Sequence, residues 1–275
     1  ISVGAPYFNQ VFTLLASPLL FLMAIGPHCL WQQTDPQIII QRLKYAMLLA
    51  VSLTVSGLMV TARPFKFYND LGIILGLWII FATLIDVWFK KLKLNHWRFP
   101  RHIWGMVIAH MGVAVATLGI AISQGYGIEA DLRMTSGSQK QVGDYIFKMV
   151  QTRDIDGPNY RAVDAEFVIT SNGKQVATLH PQKRVYDVGE MAMTDSDIHA
   201  GVFRDLYIAL GEPLPGNAWS VRIYVKPFVR WIWAGGFLIL LGGLFAMFDK
   251  RYRTMFAASP APTVASTTKE KLHYA

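Results

Sequence analysis

Five blocks of apolar residues alternate with short basic loops and one long polar stretch. Each block approaches or exceeds the ~20 residues needed to cross the hydrocarbon layer of a bilayer. They lie near residues 11–27, 43–61, 71–89, 103–123 and 228–248. Pro18 interrupts the first, which predicts a kinked helix or one that starts nearer Tyr7; a buried helix tolerates proline where neighbours satisfy the freed carbonyl. Between the fourth and fifth blocks the period changes. Arg161 to Ile169 alternates around Val163, Ala165, Phe167 and Ile169, Asn172-Gly173 offers a type I′ turn, and Val176, Thr178 and His180 resume the alternation. Strand-like runs also cover Tyr145 to Val150, Lys183 to Val188, Val202 to Leu210 and Trp219 to Val225, punctuated by Gly157-Pro158, Gly189, Gly211 and Pro213 to Gly216.

This pattern predicts a membrane α-helical bundle of about five transmembrane helices, with a small all-β domain of five or six strands inserted before the last helix. Residues 1–124 hold four spans, 125–227 the β-rich domain, 228–248 the last span and 249–275 a tail. The end of the tail is rich in Ala, Ser, Pro and Thr, has no period, and is expected to be disordered.

Composition narrows the class. Of 275 residues 53% are hydrophobic and 16% charged, against roughly 25% charged in a soluble domain. A water-soluble globule and a disordered chain are both disfavoured. The single cysteine, Cys29, rules out a disulfide framework. The chain opens at Ile1 without a basic leader or cleavage site, so it reads as part of a longer polypeptide.

The formal charge of +8 is unevenly placed: residues 125–227 carry 11 basic and 13 acidic side chains, the remainder 15 and 5. Basic charge therefore flanks the apolar blocks, where it orients helices in a bilayer. No basic stripe on the polar block points to nucleic acid. Lys90, Lys91, Lys93, Arg98 and Arg101 assign the loop 90–102 to the cytoplasm, and Lys250, Arg251 and Arg253 assign the tail to the same side. Residues 125–227 then face the opposite compartment, together with the two cations Arg63 and Lys66.

Of seven histidines only His110 lies well inside a strong span, roughly 10 Å along the helix from Ile103. A polar imidazole at that depth faces a partner, a cavity or a metal. Gly105, Ala109, Gly112, Ala116 and Gly119 form a small-residue stripe suited to close helix approach, and His110 points about 140° away from it. Met106, Ala114 and Thr117 share its side and are expected to line a pocket. The small neighbours leave room for a flat ligand such as a porphyrin, with Nε2 on iron; ordinary helix packing fills the same space equally well.

The other candidates have simpler readings. Asp86, near the inner end of the third span, is expected to face water or Lys90, with a proton relay as the other possibility. Arg230 is expected to snorkel to the outer interface. His180 and His199 read as unrelated surface histidines, and adjacent His28 and Cys29 lack metal-ligand spacing. Arg63-Pro64-Phe65 suits an interfacial belt. No P-loop, dinucleotide fingerprint, HExxH or GxSxG is present.

Val3-Gly-Ala-Pro-Tyr-Phe-Asn, Thr61-Ala-Arg-Pro-Phe and above all Trp104-Gly-Met-Val-Ile-Ala-His-Met-Gly-Val-Ala resemble the C-terminal part of the CcmF/NrfE family. These are the large integral membrane subunits of the bacterial cytochrome c haem lyase. The resemblance runs from Ile1 to about Arg253 and implies an inner-membrane, multi-pass subunit with a periplasmic β-domain. It implies a b-type haem held between two transmembrane histidines, of which His110 matches the second. It also implies substrate haem delivered by the chaperone CcmE, CcmH-type thioredoxin-like partners, and attachment to the CxxCH thiols of apocytochrome c. The family's tryptophan-rich WWD segment with its flanking histidines has no counterpart here, so this portion is not expected to act alone. The alternatives are a non-catalytic membrane scaffold that docks partner proteins, and an NrfE-type paralogue dedicated to one cytochrome.

Overall fold

The computed structural model describes residues 4–29, 35–94, 99–189 and 191–248; Arg98 and the tail expected over 249–275 lie outside them. Among the described residues five helices form: α1 (Ala5–Ile25), α2 (Pro36–Thr61), α3 (Phe67–Leu94), α4 (Arg101–Tyr126) and α5 (Val229–Met247). All five are long and apolar enough to cross a membrane. Pro18 sits inside α1 without ending it. One 3₁₀ turn, Gly26–His28, follows α1.

The helices outrun the apolar blocks because chain caps, not hydropathy, set their ends. α2 begins at Pro36, ahead of the expected Leu43, where the Asp35 carboxylate accepts a hydrogen bond from the Gln37 amide at 2.9 Å and proline occupies the first helical position. α3 continues through Leu94. Lys90 and Lys91 therefore stand on its closing turns and not in a loop, where their charge complements the carbonyl end of the helix.

α4 is the centre of the bundle. Its small-residue stripe packs antiparallel against α5: a Cβ added at Gly105 would lie 2.8 Å from the carbonyl oxygen of Gly242, and one at Gly119 2.9 Å from the amide nitrogen of Ile232. On another side α3 approaches through Gly72 and Gly76, where added Cβ atoms would lie 2.9 Å from Ala121 Cβ and 2.8 Å from Leu118 Cγ. Such contacts replace the hydrophobic drive that lipid removes.

Between α4 and α5 the chain makes ten antiparallel strands in two sheets. They are β1 (Ile128–Thr135), β2 (Gln139–Val142), β3 (Tyr145–Asp156), β4 (Tyr160–Ser171), β5 (Lys174–Leu179), β6 (Gln182–Tyr186), β7 (Ala192–Asp195), β8 (Asp197–Ala200), β9 (Arg204–Leu214) and β10 (Ala218–Pro227). One sheet has the order β1-β10-β9-β8 and the other β2-β3-β4-β6-β7, with β5 also paired to β4. Phe147, Met149, Phe167 and Ile169 from one sheet and Leu206, Ile208, Val221 and Ile223 from the other are fully buried in a common core. The domain is a sandwich and not a barrel.

Ten strands exceed the five or six expected. β2, β7 and β8 are four residues each, too short for an alternation to stand out. β1 does alternate, through Ile128, Ala130, Leu132 and Met134, but follows the helix directly across Gly127. The Asn172-Gly173 hairpin forms with φ of 50° and 73°, as a type I′ turn requires. Val202 and Phe203, expected in a strand, lie in the turn before β9.

Candidate functional site

His110 occupies the third turn of α4, on the side away from α5. Its Nδ1–H donates to the Met106 carbonyl at 2.9 Å. This bond sets the tautomer of the neutral ring: with the proton on Nδ1, the Nε2 lone pair is left as the free acceptor. No partner for Nε2 occurs among the described residues. Imidazole with one nitrogen back-bonded and the other bare is the form that ligates a metal.

A cavity of about 510 Å³ opens on the same helix face, between α1, α3 and α4 with Ile239 of α5 at its edge, within the ~300–1,000 Å³ typical of ligand sites; His110 is not among the residues that line it. Val113, one turn outward of His110, and Thr117, two turns outward, are among its walls. Thr13 and Ser17 of α1, Asn69 of α3 and Gln124 of α4 make it polar in places. Thr13, Ser17 and Thr117 each donate to the carbonyl four residues back, at 2.6–2.8 Å, so their oxygens keep lone pairs for a further donor.

The expected pocket residues separate. Thr117 lines the cavity, and Met106 contributes its carbonyl to the imidazole. Ala114 is fully buried against α3, where an added Cβ at Gly76 would lie 3.2 Å from its carbonyl oxygen. It spaces helices and does not face the cavity.

The structure also orders the other candidates. Asp86 is 5% exposed and takes an ion pair from Lys90 Nζ at 2.6 Å, as expected of a boundary carboxylate. Arg230 lies 3.9 Å from Asp205. Arg63 stacks its guanidinium over Tyr126. His180 is bound to the buried Asp164 at 3.3 Å and is distant in role from His199, on β8; among the described residues no three His, Cys, Asp or Glu side chains converge as a metal site. Burial works against the Asp164 charge, but hydrogen bonds from Gln182, His180 and Arg153 outweigh it and hold the carboxyl below the usual range.

Two polar sites were invisible in the sequence. His28 is 5% exposed and its Nε2–H donates to the Ala82 carbonyl at 3.0 Å, tying the end of α1 to α3. Asp70, fully buried, accepts from the Tyr126 hydroxyl at 2.5 Å and the Lys66 amide at 2.6 Å, while Lys66 Nζ donates to the Gly125 carbonyl. Partners some 55 residues apart in the chain leave no local pattern to read.

Comparison with known proteins places this geometry. Residues 125–227 match the family model described as the CcmF C-terminal β-sandwich. The cytochrome c-type biogenesis protein CcmF of Pseudomonas aeruginosa is 38% identical over 257 residues, which cover 92% of this chain and 39% of the relative. CcmF of Escherichia coli is 38% identical over 259 residues, with the same coverage. NrfE of Haemophilus influenzae is 34% identical over 258 residues, covering 91% of this chain and 39% of the relative. A solved structure titled cytochrome c haem lyase CcmF superimposes with a TM-score of 0.73 at 27% identity, over 90% of this chain and 41% of that one. The chain thus spans about two fifths of the length of the relatives it matches. With both the sandwich and the helices around it aligned, the chain belongs to the CcmF/NrfE family of cytochrome c-type biogenesis proteins and corresponds to its C-terminal part.

Proposed function

We propose that this chain supplies one axial ligand, His110, to a b-type haem inside the inner membrane, as part of a haem lyase. The observation that supports the reading is the His110–Met106 bond, which leaves Nε2 without a partner among the described residues; the cavity begins one turn outward, at Val113, and His110 is not itself one of its walls. What supports the group here is a ring nitrogen without a partner among the described residues and, from one turn outward on the same helix face, apolar walls from Val113 and Leu75. An iron porphyrin held there supplies a one-electron couple whose potential follows its axial ligands and burial.

The chain's own residues hold and orient. Met106 sets the imidazole plane, and the α4–α5 seam keeps the helix from rotating. The second axial ligand belongs to a helix outside this chain, and so does the WWD segment for substrate haem. On this reading residues 125–227 are periplasmic, the α3–α4 turn is cytoplasmic, and the sandwich meets a CcmH-type subunit, CcmE or the apocytochrome. Thioether formation then needs haem and CxxCH thiols held close and oriented; Cys29 follows the Gly26–His28 turn, whose His28 bonds Ala82 in the middle of α3, and is no attacking thiol.

The test is the absorption spectrum of the purified full-length protein. His110→Ala should lose most of the Soret band while the protein still inserts and folds. An unchanged band at full haem occupancy would refute the ligand, and leave a scaffold that docks partners.

A further inference from the structure

The turn joining β8 to β9 is built onto the first turn of α5. The Phe228 amide donates to the Phe203 carbonyl at 2.9 Å, and the Trp231 indole Nε1–H donates to the Val202 carbonyl at 3.0 Å. The rings of Phe203, Phe228 and Trp231 form one cluster, with Phe203 stacked on Trp231 at 6.2 Å and Phe228 5.6 Å from Trp231. Asp205 braces the turn by accepting from the Gly201 amide at 3.0 Å. Phe228 itself is left-handed, with φ of 58°, a strain held by this cluster.

All three backbone and indole bonds hold polar groups inward, and the side chains at the tip are left bare. Val202 is 63% and Phe203 62% exposed. Two adjacent apolar side chains joined to the Phe228 and Trp231 rings form a contiguous apolar patch beside a membrane helix, the kind of patch that marks an interface.

The level of the tip follows from the length of α5. Nineteen residues make a helix of about 28 Å, against a hydrocarbon thickness of ~30 Å. No turn is spare, so Val229 to Ile232 lie at the edge of the hydrocarbon, and Phe203 on Trp231 shares that level. Tryptophan and flanking cations are the residues that settle at this boundary: Arg230 and Lys226 stand beside the cluster, with Lys226 over the Tyr224 ring.

We infer that Val202 and Phe203 are a membrane foot, a turn of the sandwich sunk into the outer lipid interface. The sandwich then has a third attachment besides Gly127 and Phe228, and its height and tilt over the membrane are fixed. Its lipid partner is the boundary between phospholipid headgroup and acyl chain, met by apolar side chains with cations above them.

The test is spin-label depth measurement on the full-length protein in phospholipid nanodiscs, on a cysteine-free background. Labels go at Phe203→Cys, at Val202→Cys, whose side chain bonds nothing and whose carbonyl keeps the Trp231 bond, and at Asn159→Cys. Asn159 lies at the far end of β3, since Tyr145 at its start accepts from Arg204 beside the foot at 2.6 Å, and twelve residues span roughly 36–40 Å. Oxygen should out-collide a water-soluble nickel chelate at 202 and 203, and the order should reverse at 159. A nickel-accessible tip would overturn the foot as water-exposed; a tip shielded from both reagents would overturn it as a protein interface.

Discussion

Gly112 of α4 and Gly235 of α5 face each other so closely that a Cβ added to Gly112 would lie 2.8 Å from the Gly235 carbonyl oxygen, and one added to Gly235 2.6 Å from that of Gly112. The contacting atoms are backbone and cannot yield as a flexible side chain does. Gly112→Val and Gly235→Val should each cost about 1–3 kcal/mol or more through overpacking, read as a lower thermal midpoint in detergent. Gly236, with open space around it, is the control, and Gly236→Val should cost far less.

If His110 holds iron through Nε2, deleting the ring should leave a gap that free imidazole can enter. His110→Gly is expected to lose the Soret band and to recover much of it with added imidazole. Failure of rescue in a folded protein would favour a helix-bonding role for this histidine.

Asp86 and Lys90 form an ion pair whose members differ in exposure: their side chains are 6% and 30% exposed. Removing the cation strands a buried charge, which costs ~3–5 kcal/mol. Removing the carboxylate leaves a lysine that can snorkel to the interface. Lys90→Met should therefore destabilise more than Asp86→Asn, measured by thermal or denaturant unfolding in micelles. Equal effects would argue against the buried pair.

The carboxyl of Asp164 titrates below its ordinary value in the folded sandwich. The unfolded chain thus takes up this proton first, and the stability that the charge contributes is present above about pH 4 and lost as pH falls through the folded value. Asp164→Asn should lower stability near neutrality and flatten the acid limb, followed by hydrogen exchange of β3, β4 and β6 between roughly pH 3 and 6. An acid limb unchanged by the substitution would show that the charge contributes nothing.

Gly173 completes the β4–β5 hairpin at φ of 73° with no neighbour near its α-carbon. Gly173→Ala should cost about 1–2 kcal/mol from backbone strain alone, visible as a lower midpoint with the sheet otherwise unchanged.

Local patterns carried much of this. The five apolar blocks, the stripe from Gly105 to Gly119 and the Asn172-Gly173 turn are each written in consecutive residues: each block overlaps one helix, the stripe meets α5, and the turn closes β4 on β5. Helix ends were less legible, because Asp35 caps α2 through a hydrogen bond that hydropathy does not register. Edge strands β2, β7 and β8 are specified by their partners and are too short for a pattern of their own to stand out. His110 was singled out by its depth, by the small stripe opposite it and by the family resemblance, while Ala114 packs as a spacer against α3.

The chain by itself determined which segments enter lipid, which fold in water and which face of α4 is small, since transfer energies and side-chain period act over a few adjacent residues. Tertiary structure decided which neighbour each face meets: α5 on Gly112, α3 on Ala114, and a cavity beside Thr117. It alone brought Asp70 to Tyr126, His28 to Ala82 and Phe203 to Trp231. Those pairings join residues far apart in the chain, and only packing in three dimensions selects among the many partners that their chemistry would accept.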